Sequence, residues 1–126
     1  MGLIYATITL ANPRNEALNP IETSALVDTG AFMLCIPEHI RLQLDLSELE
    51  KREVTTADGK KHLCSYVGPI KISFQNRNCF AGALVLGDRV LLGAIPLEDM
   101  DLIIHSLKQE LVVNPESPNI ASGIVM

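Results

Sequence analysis

Most of this chain reads as β: short apolar or alternating runs, too short for long helices, are separated by polar turn signals. Leu3 to Leu10 predicts a strand that Asn12-Pro13-Arg14-Asn15 breaks. Ile21 to Val27 predicts a second, and Met33 to Ile36 a short buried run. Pro37 to about Leu42 predicts a short helix, with proline placed where its missing N–H does no harm. Glu53 to Ala57 and Lys61 to Tyr66 flank Asp58-Gly59, a strong hairpin signal because both central residues tolerate positive φ. Val67-Gly68-Pro69 predicts a bend, and Ile70 to Phe74 pairs naturally with Cys79 to Leu86 across Gln75 to Asn78. Val90 to Gly93 is a dry strand, Pro96 to Met100 a helical turn, and Asp101 to Ile104 with Glu110 to Val113 a last hairpin. Many short strands with little helix predict an all-β, closed or nearly closed barrel.

With 126 residues the chain fits one domain, expected over 1–115, with a loosely held polar tail over 116–126. Hydrophobic residues make up 48% and charged residues 20%, which argues for a folded chain. Without Trp, and with three Phe and two Tyr, the core has to be built from Leu, Ile and Val. A net charge of −5 and the lack of a Lys/Arg stripe disfavour nucleic acid as a partner. No apolar stretch reaches the ~20 residues of a membrane helix, and the start lacks the pattern of a signal peptide. Cys35, Cys64 and Cys79 are odd in number and widely spaced, which fits a reducing, cytoplasmic setting.

Chemistry concentrates at Asp28-Thr29-Gly30, inside the run Ser24 to Ala31. Small and apolar residues lead into a carboxylate, a hydroxyl and a glycine, so a strand carries an acid to the lip of a sharp turn against a dry wall. The same three residues also make an ordinary turn. The Asp58-Gly59 hairpin reads either as plain surface or as a mobile flap that excludes water. Leu91-Leu92-Gly93, taken alone, reads as core packing. His39, His62 and His105 lack metal-ligand spacing, and Cys35 reads as a small buried hydrophobe. Glu98, Asp99 and Asp101 read as helix-face charges, and Glu48 to Glu53 as a solvated loop of mixed sign.

The order of acid turn, hairpin, Leu-Leu-Gly and short helix resembles the retropepsin-like aspartic proteases, the single-domain relatives of the retroviral enzymes. Small prokaryotic members of that clan are the nearest in pattern. The matching runs are Ala25 to Ala31, Ala57-Asp58-Gly59, and Leu91 to Met100 with Asp101-Leu102, so the resemblance spans roughly residues 3 to 115. It implies a retropepsin-like acid protease β-barrel with one or two short helices, equivalent to one half of a pepsin-like bilobal enzyme.

The implied activity is peptide hydrolysis by two carboxylates that share one proton. Only one Asp-Thr-Gly is present, so the pair has to come from Asp28 of two chains in a homodimer. The resemblance gives Thr29 the role of bonding across the twofold axis, and gives Gly30 and Ala31 the support of the site. Ala57, Asp58, Gly59 and Lys60 become the flap tip, Leu91, Leu92 and Gly93 the structural ψ-loop, and a polypeptide the substrate. No cofactor or metal is implied. Retroviral enzymes pair an acid after Asp-Thr-Gly-Ala with an Arg after the later Gly, whereas this chain has Phe32 and Ala94 there. Loss of both partners together strands neither charge. A retropepsin-fold dimerisation or peptide-binding module that does not cleave is the rival reading. The apolar end Ile120 to Met126 raises a further expectation, a tail segment seated in the cleft.

Overall fold

A computed structural model describes residues 3–125; Met1 and Gly2, at the start of the expected domain, and Met126, at the end of the expected tail, lie outside the described residues. The strands are β1 (Tyr5–Ala11), β2 (Ile21–Val27), β3 (Leu34–Ile36), β4 (Glu48–Thr55), β5 (Lys61–Phe74), β6 (Arg77–Val85), β7 (Val90–Leu92), β8 (Leu102–His105) and β9 (Glu110–Val113). Two helices of six residues accompany them, α1 (Glu38–Gln43) and α2 (Ala94–Asp99). Neither is long and apolar enough to cross a membrane.

The main sheet runs β1-β2-β7-β3-β6-β5-β4, and pairing of β1 with β5 closes its first six strands into a barrel. Strand β4 flanks that ring as an edge, and β8 pairs with β9 as a separate hairpin. Alternation decides which side chains enter the barrel. On β1, Ala6, Ile8 and Leu10 point inward while Tyr5 and Thr7 face out. Ile8, Leu10, Leu34, Ile36, Ile70, Ile72, Leu92 and Met100 are all at most 1% exposed, giving the aliphatic core that the composition requires. Each such side chain stabilises the fold by about 1.5–3 kcal/mol relative to exposure.

At the level of the fold, the departures from the sequence expectation begin with three segments. Glu48 to Glu53 is strand, not loop. Strand β4 lies at an edge with most side chains wet, so no apolar face marked it. Its charges are nonetheless organised: Lys51 pairs with Glu48 and Arg52 with Glu50, both at 2.9 Å. The bend expected at Val67-Gly68-Pro69 is absorbed as a bulge between Val67 and Ile70 within the fourteen-residue β5, one of the few places a strand tolerates proline. The apolar end of the tail does not sit in a cleft, since Ile120, Ile124 and Val125 are 77%, 91% and 97% exposed.

Candidate functional site

Strand β2 lies parallel to β7, with Ala25, Leu26 and Val27 opposite Val90, Leu91 and Leu92. Strand β3 returns antiparallel on the other side of β7, with Cys35 opposite Leu91. The turn joining β2 to β3 therefore arches over the end of β7. Its first residue, Asp28, donates its N–H to the Leu92 carbonyl at 3.0 Å. The Asp28 carboxylate accepts the Gly30 N–H at 2.9 Å, and its carbonyl accepts the Ala31 N–H at 3.1 Å. Asp28 and Ala31 are half-buried, whereas Thr29 and Gly30 are exposed.

Gly93 fits beneath this arch because it has no side chain. A Cβ there would stand 2.5 Å from the Met33 carbonyl oxygen and 2.7 Å from that of Ala31. Helix α2 then ties itself to the arch, as Ala94 donates to the Ala31 carbonyl at 2.9 Å and Ile95 to that of Phe32 at 2.8 Å. Asp28 to Ala31 and Leu91 to Gly93, far apart in sequence, thus form one unit.

The register defines a surface that the sequence reading did not assemble. Tyr5 opposes Leu26, Leu26 opposes Leu91, Leu91 opposes Cys35, Cys35 opposes Leu84, and Leu84 opposes Tyr66. Directly opposed residues share a sheet face, so one row of side chains crosses six strands on the face away from the core. Asp28 stands two residues beyond Leu26 on that face. Cys35, Cys64 and Leu84 form the buried part of an apolar cluster, with Met33, Val54, Tyr66, Leu86 and Leu91 packed on it. Burial pushes the Cys35 thiol up, the Cys64 thiol adds to this, and the Asp28 carboxylate adds less. Burial likewise raises Cys64. Both thiols therefore act as small apolar linings.

Val54 and Cys64 belong to the β4–β5 hairpin, whose tip is Thr56 to Lys60. Here the turn differs from the two-residue form expected with positive φ at both centres. Gly59 alone has positive φ (82°), with Gly59 N–H donating to the Thr56 carbonyl and Thr56 N–H to that of Lys60, both at 2.9 Å. That is the longer hairpin loop, with glycine in the left-handed position after a tight turn. The Asp58 carboxylate accepts the Thr56 hydroxyl at 2.5 Å and the Lys60 N–H at 3.0 Å. The Thr56 bond first, then the Lys60 N–H, holds this carboxyl below its usual range. Thr56 Oγ1 also lies 3.2 Å from His62 Nε2, so the tip is cross-linked on both arms.

A polar knot away from the arch was not anticipated. Asp101 follows α2 with φ of 55° and is not on a helix face. It accepts bonds from Asn114 Nδ2 and the Ser122 N–H at 3.0 Å, and from the Ser117 hydroxyl. Those bonds, the Ser117 hydroxyl foremost, hold its carboxyl down at about 2. Arg77, expected in a turn, opens β6 and is only 2% exposed. Its Nη2 donates to the Ser117 carbonyl, and its Nη1 lies 3.9 Å from Asp101 Oδ2, too far for a hydrogen bond but close enough for attraction. Asn76 Nδ2 donates to the Pro118 carbonyl at 2.8 Å. Asn and Ser at 114, 117 and 122 were the available signal, and one sequence does not reveal which acid they serve.

Among the described residues, no three His, Cys, Asp or Glu side chains are grouped as metal ligands. No protein-family model matches the chain, and no curated protein matches it. Among solved structures, the EIAV protease complexed with the inhibitor HBY-793 is similar, with a TM-score of 0.55 at 18% identity, covering 75% of this chain and 85% of that one. The fold is the all-β, retropepsin-like barrel.

Proposed function

We propose that this chain is an aspartic endopeptidase that works as a homodimer, Asp28 from each protomer forming the catalytic pair. The observation that carries the reading is the position of Asp28: at the lip of a hydrogen-bonded arch, on the face of an apolar row, on the β-barrel it shares with the EIAV protease. In this reading the ionised carboxylate takes a proton from water as the water oxygen attacks the scissile carbonyl carbon. The protonated carboxyl gives its proton to the carbonyl oxygen. The tetrahedral diol then collapses: one of its hydroxyls gives a proton to the carboxylate now ionised, and the C–N bond breaks. The amine nitrogen takes the proton that the other carboxyl gained from water, which restores the singly protonated pair. Thr29 braces the two turns against each other, Gly30 and Ala31 face substrate backbone, and Ala57 to Lys60 close over it as a flap.

A second reading is a retropepsin-fold binding module that does not cleave. One observation favours it: Phe32, 60% exposed, and Ala94 stand where the retroviral enzymes place an ion pair, so no charges tie the arch to α2 there. Cleavage of a mixed peptide library between about pH 4 and 7, with and without a transition-state mimic, separates the two. The protease reading expects inhibitor-sensitive cleavage that falls at least about a thousandfold in Asp28→Ala. Cleavage retained by that variant overturns it, and a stable dimer that cuts nothing favours the binding module.

A further inference from the structure

The outer face of the sheet carries two arginines in different states. Arg52 is satisfied: its Nε donates to Glu50 at 2.9 Å and its guanidinium stacks 3.7 Å from the centre of the Tyr66 ring. Arg89 is not. Its Nη1 donates to the Tyr5 hydroxyl at 3.3 Å, and its nearest carboxylate, Asp88, lies 3.9 Å from Nε with a side chain 95% exposed. Arg89 and Tyr5, together with Ser24, Leu26, Asp88 and Val90, line an open groove of about 360 Å³.

Placement ties this groove to Asp28. Leu26, which lines it, precedes Asp28 by two residues and shares its face, a separation of about 7 Å along a strand. An extended peptide advances about 7 Å for every second residue, so a chain lying over Asp28 sends a side chain into the groove within two residues of that point. What it meets there is a guanidinium steered by a phenol, with donors left over in a planar fork suited to a carboxylate. Asp88 competes weakly, because an exposed pair at this distance contributes little and its side chain is free to swing away.

We propose that the groove lined by Arg89 and Tyr5 receives an acidic side chain of the polypeptide substrate, which makes Arg89 a specificity-determining residue and Tyr5 its positioning residue. The assignment rests on the protease reading for what the peptide is doing there. The test is therefore run on binding and on cleavage separately. Fluorescently labelled peptides with Glu, Gln or Lys scanned through three positions on either side of a central apolar pair are titrated onto the Asp28→Asn chain by anisotropy. The Glu peptide is expected to bind roughly tenfold tighter than its Gln counterpart at one position, the size of one charge-assisted hydrogen bond. Adding Arg89→Gln brings that ratio to about one, Arg89→Lys keeps part of it, and Tyr5→Phe reduces it.

Equal binding of Glu and Gln, tightest binding of Lys, a Glu preference that survives Arg89→Gln, or no binding at all overturns the proposal. Arg89 is an exposed residue, and circular dichroism of each variant confirms that the ratio reports recognition rather than folding. The same peptides are then offered to the wild-type chain. Charge-selective binding without cleavage keeps the groove and discards the protease reading. Cleavage without charge selection does the reverse.

Discussion

The Asp28 N–H donates to the Leu92 carbonyl at 3.0 Å, so the turn that carries the acid hangs from the end of the strand that precedes Gly93. Gly93 in turn lies within Cβ contact of both Ala31 and Met33 on the far side of that turn. The arch and the strand beneath it hold each other in place.

Gly93→Ala should therefore damage the arch directly. Its Cβ meets backbone, which cannot swing aside as a side chain can, and overpacking of this kind costs about 1–3 kcal/mol. Gly59→Ala is the contrasting case: nothing lies within 4 Å of the added Cβ, and only the left-handed backbone is strained, costing about 1–2 kcal/mol. Urea unfolding gives both costs. Amide exchange should show loosening at Ala31 to Met33 only in Gly93→Ala, and at the hairpin only in Gly59→Ala.

Thr56→Val removes the hydroxyl that links Asp58 to His62 across the hairpin tip, while keeping a β-branched shape. The expected loss is about 1 kcal/mol of local stability, seen as faster amide exchange at Gly59 and Lys60 with little change in the barrel. Uniformly faster exchange would show that the tip is not a local unit.

Acid should loosen the polar knot. The Asp101 carboxyl is lowered from 3.8 to about 2 in the folded chain, by hydrogen bonds from Ser117, Asn114 and Ser122 and by Arg77. A carboxyl depressed by folding adds stability that is full above about pH 4 and is lost as pH falls through about 2. Unfolding free energy measured between pH 2 and 5 should fall toward acid in the wild type and change less steeply in Asp101→Asn. Equal slopes would remove Asp101 from the account.

Arg77→Ala should be among the most damaging single changes. It empties a buried site and removes the cation facing Asp101, for a loss of at least about 2 kcal/mol. Limited proteolysis should then cut between Ser117 and Ser122, a stretch the wild type holds through the Arg77 and Asp101 bonds. Unchanged proteolysis would show that the tail is held by something else.

How far the sequence carries the reader depends on how local each signal is. Strands β1, β2 and β7 and the arch were legible, because alternation, short apolar runs and Asp-Thr-Gly are all written in consecutive residues. The end of strand β4 was legible as the first arm of the hairpin, but its start, Glu48 to Arg52, was hidden, because an edge strand wet on most sides carries no apolar stripe. Arg77 was hidden for a different reason: a basic residue beside Gln75 and Asn76 has the composition of a turn, and its burial depends on Asp101 and Ser117 arriving from elsewhere. The row from Tyr5 to Tyr66 is a property of register across six strands, which no single segment encodes. The parts of the candidate site given by neighbours in sequence were legible; the row of side chains across six strands and the groove beside it were not.

The central claim is that Asp28 of two chains makes one site, and subunit mixing tests it most directly. Wild-type chain at fixed concentration is mixed with increasing Asp28→Asn chain, and peptide cleavage and molecular mass are followed on the same samples. The account predicts a dimer and a loss of cleavage per wild-type chain that tracks the mixed dimer, approaching completion at large excess of the variant. Cleavage that stays constant per wild-type chain while mixed dimers form, or full activity in a monomer, would contradict it.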